Sequence, residues 1–224
     1  MYTLAFLREF DLQPWREPTS PLSPSDRAEA RRAAEWALGQ LTTESLPFAR
    51  TPVPVYEIAE ALGLQVDEAS LGGTSSGTLL GTLLIHRQAI VIDTRKSDPN
   101  RLRFTVAHEI GHWLLHRGLY EQRGEYQPAP GLSADAPDLH GHALETQADE
   151  FAANLLMPLR LIRKKLVGLE GIGEPSAVRQ LAETFAVSRR AMEIRLDRLA
   201  KRRFVKLVPR GQKRLVQDKP GGCS

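Results

Sequence analysis

One stretch, "RFTVAHEIGHWLLH" from Arg103 to His116, constrains this chain more than any other. Asp98 is a fitting N-cap and Pro99 a fitting first helical residue, so the stretch is expected on a helix that ends near Gly118. Residues four apart on a helix share a face and differ by ~6 Å in height. His108 and His112 can therefore aim ring nitrogens at one point, as a tetrahedral Zn2+ with bonds near ~2.0–2.1 Å demands. Glu109 lies a step around the helix, placed to take a proton from a water rather than to act as a ligand.

Two histidines are not a complete site. A catalytic zinc keeps three protein ligands and one open position. A separate segment, "ALETQADEFAANLLMP", is helical by its apolar period and offers Glu145 and Asp149, four apart on one face. Glu145 can complete a His, His, Glu set. Asp149 can accept a hydrogen bond from the far ring nitrogen of a ligand histidine and fix its tautomer. The rival reading of the pair is a solvated acidic face, since Glu150 is adjacent. Such a ligand set takes Zn2+, and Mn2+ or another divalent ion as well. His116 stands ~12 Å along the axis from His108 and cannot join the same ion, so it is expected to pack, with capping the helix or lining the cleft as alternatives. Tyr120, Tyr126, His140 and His142 are candidates to stabilise an oxyanion, and no spacing chooses among them. His86 is expected on an exposed hairpin.

The remaining pattern is α+β. Ser23, Pro24 and Asp26 form a capping-box signature before an apolar stripe of Ala30, Ala34, Ala37, Leu38 and Leu41. A short helix is expected from Pro54 to Leu62, stopped by Gly63. "LQVDEA" suits a strand, "GGTSSG" a turn, and "TLLGTLLIHRQAIVIDT" a hairpin about His86, Arg87 and Gln88. From 117 to 142 the composition turns to Gly, Pro, Ala and Asp and is expected as a long loop. These signals divide the chain into residues 1–167, with a Pro/Ser-rich lead-in over 1–22, a linker over 168–175, and a basic domain over 176–224.

The paired blocks "RFTVAHEIGHWLLH" and "ETQADEFAANLLMP" resemble the ImmA/IrrE family of zinc metallopeptidases, over roughly Val53 to Met157. The resemblance implies a zincin-like domain, with helices on a small sheet, followed by a helix-turn-helix. It implies His108, His112 and Glu145 as ligands and Glu109 as catalytic base. It also implies an endopeptidase that cleaves a helix-turn-helix repressor and switches on stress, phage or mobile-element genes. The long Pro-rich loop departs from the family pattern and bears on substrate access.

Charge separates along the chain. Residues 1–157 carry 13 Lys/Arg against 21 Asp/Glu, a balance of −8, while 158–224 carry 17 against 6, a balance of +11. "AVRQLAETFAVSRRAMEIRLDRLAKRRF" has the outline of a helix-turn-helix, with a turn at Ala186 to Ser188 and Ser188 as N-cap. Ala191, Ile194 and Leu199 are expected inward. Arg189, Arg190, Arg195, Arg198, Lys201 and Arg202 are then candidates for nucleic-acid contact, and "FVKLVPRGQKRLV" for a β-wing. DNA, single- or double-stranded, is thus an expected activator, and a repressor or antitoxin the expected substrate. The rival for the tail is a surface that docks on acidic protein. Rivals for the whole are a DNA-binding regulator with a structural zinc domain, and the toxin-side partner of a toxin–antitoxin pair. One cysteine, Cys223, permits no internal disulfide. No apolar run reaches membrane length, and the N-terminus lacks a signal-peptide pattern, so a cytoplasmic protein without a membrane partner is expected.

Overall fold

A computed structural model describes residues 17–41, 50–71, 73–74, 77–78, 80–95, 98–123, 139–169 and 174–202. The expected β-wing, Tyr126 and Cys223 lie outside the described residues. The chain divides into two compact units, Met1–Arg50 with Pro54–Leu155, and Thr51–Val53 with Leu156–Ser224. The boundary therefore precedes the basic segment "LRLIRKKLV", which the sequence had grouped with the first domain.

In the first unit, helix α1 (Pro24–Gly39) starts at the expected box. Ser23 Oγ accepts from the Asp26 amide at 3.2 Å, and Asp26 Oδ2 accepts from the Ser23 amide at 2.8 Å. Its buried stripe is Ala30, Ala33, Ala34 and Ala37, all small, which suits its close packing on helix α3. Leu38 and Leu41 are only half-buried. Helix α2 (Val55–Ala61) follows, and Gly63, at φ 75°, takes the left-handed conformation that turns the chain into strand β1 (Gln65–Glu68). A two-residue ladder, β2 (Gly73–Thr74) with β3 (Gly77–Thr78), stands where the Gly/Ser turn was expected.

Strands β4 (Gly81–Leu84) and β5 (Ala89–Ile92) form the expected antiparallel hairpin. A 3-10 turn over Ile85–Arg87 joins them and closes on Gln88 at φ 49°. Strand β1 adds to β5 in parallel, with Gln65 opposite Ala89, so the order is β1-β5-β4. Helix α3 (Pro99–Leu115) lies against β4 and β5, with α1 and α2 also packed on it. Asp98 caps it, accepting from the amides of Asn100 and Arg101 at 3.0 and 3.1 Å. The fold class is α+β, with eight described helices and a small mixed sheet.

The long loop is shorter than its composition suggests. Helix α3 ends at Leu115 rather than near Gly118, because His116 leaves helical geometry (φ −126°). The chain restarts as helix α4 (Arg117–Arg123), which buries Leu119 and Tyr120. Helix α5 (Leu139–Leu156) begins before His142, so only 124–138 lie outside the described residues.

The second unit holds helices α6 (Leu159–Val167), α7 (Glu174–Phe185) and α8 (Arg189–Lys201). The α7–α8 turn follows the sequence reading. Ala186 sits at φ 48°, and Ser188 caps α8 by accepting from the Ala191 amide at 3.1 Å. Phe185, Val187, Met192, Leu196 and Leu199 are buried between the helices. No described helix is long and apolar enough to cross a membrane.

Candidate metal centre

Gly111 explains how two helices bring their side chains to one point. A Cβ at this position would lie 3.1 Å from Phe151 Cδ1, 3.2 Å from Ala148 Cα and 3.3 Å from Ala148 O. Only glycine lets the α3 backbone approach α5 this closely, next to His112 and three residues from His108. Across that contact, His108 Nε2 and His112 Nε2 stand 2.9 Å apart. Glu145 sets Oε2 3.1 Å from His108 Nε2 and Oε1 3.2 Å from His112 Nε2. Donors held ~2.0–2.1 Å from one tetrahedral Zn2+ are about 3.3 Å from each other. The trio already sits at that spacing, and it is the one His/Cys/Asp/Glu cluster of metal-binding geometry among the described residues.

Each ligand candidate has a partner behind it. His108 Nδ1 donates to Asp149 Oδ1 at 2.9 Å, as the four-residue spacing implied. Burial works against charge on His108, but the hydrogen bonds to Asp149 and Glu145 outweigh it and push its pKa up to about 10. Burial opposes ionisation of Glu145, yet its bonds to both histidines hold its carboxyl well below the usual range. Glu150 does not extend an acidic face. It is buried and pairs with Arg27 at 3.5 Å, so it lies apart from the exposed face that carries Glu145 and Asp149.

Glu109 is buried, and its Oε2 has no hydrogen-bond partner among the described residues. Burial pushes its pKa up, while His112 and His108 pull it back. A buried carboxylate oxygen left without a donor costs ~1–3 kcal/mol or more. Such an atom beside the ligand trio fits a role in which water and substrate supply the missing contacts. The donor chemistry, the spacing and this orphaned oxygen all fit a divalent ion.

These blocks match a known domain. Residues 59–197 match the Peptidase_M78 family, described as the IrrE N-terminal-like domain. The chain belongs to this family. The match runs through the ligand trio and on into α8, so the IrrE-like domain spans parts of both compact units. The family is a peptidase family by description, and membership agrees with a divalent metal at the trio. No curated protein matches the chain significantly. Among solved structures, a Mycobacterium tuberculosis transcriptional regulator is similar at 17% identity and a TM-score of 0.50. The likeness covers 78% of this chain and 52% of that one, so this IrrE-like chain spans about half the length of that protein and shares its fold.

The other expected residues fall unevenly. Tyr120 is buried with its hydroxyl 3.1 Å from His112 Nδ1, on the ring edge opposite the trio, which removes it as an oxyanion stabiliser. His142 is exposed in the first turn of α5, and His140 lies in the same turn. On α8, Arg195 is buried and donates from Nε and Nη2 to the Met157 carbonyl at 3.2 and 3.1 Å, so it is not a surface contact residue. Ile194, expected inward, is exposed instead. Arg189, Arg190, Lys201 and Arg202 are exposed and Arg198 is half-buried. Three of these make pairs along the helix, Arg189 and Arg190 with Glu193, and Lys201 with Asp197.

Sequence reasoning missed the layer behind His112. His116 Nδ1 is 3.0 Å from His112 Nδ1, and His116 Nε2 is 3.0 Å from Gln147 Oε1. Burial, with His112 alongside, pushes the His116 pKa down to about 3, so this ring is neutral. The signal was present as a third histidine at the same four-residue interval.

Proposed function

We propose that this protein is a zinc-dependent, site-specific endopeptidase that cuts a helix-turn-helix repressor or an antitoxin and so derepresses stress, phage-related or defence genes. The observation that carries the chemistry is the ligand trio with the unpartnered Glu109 oxygen beside it. A divalent ion held there would acidify a water and polarise the scissile carbonyl. Glu109 takes the proton of the attacking water and returns it to the leaving amine. Its burial suits both steps, because a carboxylate with a raised pKa is a better proton acceptor and later a ready donor. Asp149 keeps the His108 ring turned so that Nε2 faces the trio.

The substrate lies extended along β4. This strand is at an edge of the described sheet and packs on α3, so a peptide can add to it by backbone hydrogen bonds. The substrate class and a DNA activator are supported by the short turn that joins helices α7 and α8 and by the +11 balance of residues 158–224. A purely structural zinc domain is disfavoured by Glu109, since a closed site has no use for a buried base beside the metal.

The test pairs purified protein and Zn2+ or Mn2+ with a small helix-turn-helix repressor encoded beside it, with and without single-stranded DNA. A single new N-terminus in the repressor, seen by mass spectrometry, is the expected result. Glu109→Gln should keep zinc and lose cleavage by ~10²–10⁴-fold. Cleavage by Glu109→Gln at the wild-type rate would end the assignment of the base.

A further inference from the structure

The hydrogen bonds behind His112 carry an inference that rests on the metal-centre reading and deepens it. Gln147 on α5 sends its amide nitrogen to the main-chain oxygen of Asp26 at 3.1 Å and to Glu29 Oε2 at 3.3 Å. A main-chain carbonyl accepts and never donates, so this end of the amide is the NH2 group and Oε1 is the acceptor. Oε1 lies 3.0 Å from His116 Nε2, which must therefore carry a hydrogen. His116 is fully buried, and its two ring nitrogens face an uncharged amide oxygen and a second imidazole rather than a carboxylate, so it is assigned one N–H and its Nδ1 presents a lone pair. That lone pair faces His112 Nδ1 at 3.0 Å, and His112 Nδ1 must be the donor. An imidazole that binds a cation carries one ring proton; with that proton on Nδ1, the His112 Nε2 is left as a lone pair where His108 and Glu145 converge.

The reverse assignment fails at one step. A proton on His112 Nε2 would set two nitrogen lone pairs against each other across 3.0 Å. The Tyr120 hydroxyl, 3.1 Å from His112 Nδ1, adds a partner for that nitrogen but puts no hydrogen between the two rings.

We propose that His116 and Gln147 are positioning residues that hold His112, before any cation arrives, in the tautomer whose Nε2 is ready to bind a divalent ion. The reference point for the proton is the Asp26 carbonyl in the first turn of α1. The N-terminal helix is thus tied to the metal site through Gln147. A purely packing role for His116 would need a ring of this size and nothing of its nitrogens.

Nitrogen-15 NMR of the metal-free wild-type protein should show the His112 proton on Nδ1. His116→Phe keeps the ring volume and removes both nitrogens. Its zinc dissociation constant, measured against a chromophoric chelator, should rise ~10–100-fold. Gln147→Leu should act in the same direction, and in both variants the His112 signals should shift toward the other tautomer. If His116→Phe does not fold, the wild-type spectrum decides alone, and a proton found on Nε2 overturns the proposal. Zinc binding by folded His116→Phe at wild-type strength with an unchanged tautomer also overturns it. Wild-type protein that takes up no zinc at all overturns the metal centre and this proposal with it.

Discussion

Replacing Gly111 by alanine tests whether contact between α3 and α5 builds the site. The added methyl would meet Phe151 Cδ1 at 3.1 Å and the Ala148 backbone at 3.2 and 3.3 Å, against an ordinary carbon separation of ~3.5–4.0 Å. Phe151 is fully buried and the Ala148 backbone is helical, so neither neighbour can swing away. The helices must part by a few tenths of an ångström. Overpacking of this kind costs ~1–3 kcal/mol, while alanine gains ~0.8–1.0 kcal/mol over glycine in a helix. The difference predicts a net loss of ~0–2 kcal/mol, read as a lower urea midpoint at constant slope. Zinc affinity should fall further than stability, because the same separation pulls Glu145 on α5 from the histidines on α3. Gly39→Ala is the internal standard. Nothing lies within 4 Å of its new Cβ, so only the propensity gain of up to ~1 kcal/mol applies. A Gly111→Ala protein that gained stability like Gly39→Ala and bound zinc as tightly as wild type would refute the reasoning.

Asp26 gives a pH-dependent expectation. Its carboxylate is buried, which opposes ionisation, yet bonds from the Ser23 and Thr19 side chains and amides hold its pKa well below the usual range. As pH falls, the unfolded chain takes up this proton first, so the contribution is complete above about pH 4 and is lost as pH falls toward the depressed folded value. Urea midpoints of wild type and Asp26→Asn should differ at pH 7 and converge at low pH, and a gap that widened on acidification would contradict the sign. Arg195→Met should cost ~1–3 kcal/mol by leaving the Met157 carbonyl without its two donors. The same variant should leave any salt-sensitive DNA binding intact, whereas Arg189→Ala should weaken it. Zinc at 100 times its dissociation constant should stabilise the protein by ~2.7 kcal/mol, and Glu145→Ala or a chelator should abolish that rise in thermal midpoint.

Local chemistry wrote part of this structure legibly. Asp98-Pro99, Ser23 with Asp26, and Ser188 each start a helix where a capping residue meets a helical run, since a cap depends on neighbours within three residues. The two histidines were legible for the same reason within α3, where four-residue spacing fixes a shared face. The rest needed partners far along the chain. Arg195 was assigned outward by its charge, but α8 is turned so that Met192, Leu196 and Leu199 face inward, and the arginine beside them goes with them. A carbonyl 38 residues away in sequence makes that burial tolerable. The parallel pairing of β1 with β5 and the hydrogen bond between His116 and Gln147 have no local signature either. Helix α4 was hidden by Gly118, whose composition suits a loop while Leu119 and Tyr120 supply a buried face.

Burial within the cluster decides which side of it meets a substrate. His112 is 1% exposed, His108 16% and Glu145 53%, so the trio runs from the interior to solvent. Behind His112 lie His116, Tyr120 and Gln147, all buried, and this side has no access for a peptide. In the proposed reaction a scissile bond would approach from the Glu145 and Asp149 side, with Glu109 on the interior side. The dry side has a different task, because a neutral hydrogen-bonded chain in low dielectric holds a ring's orientation better than water does. Donors for an oxyanion must then come from groups on the wet side.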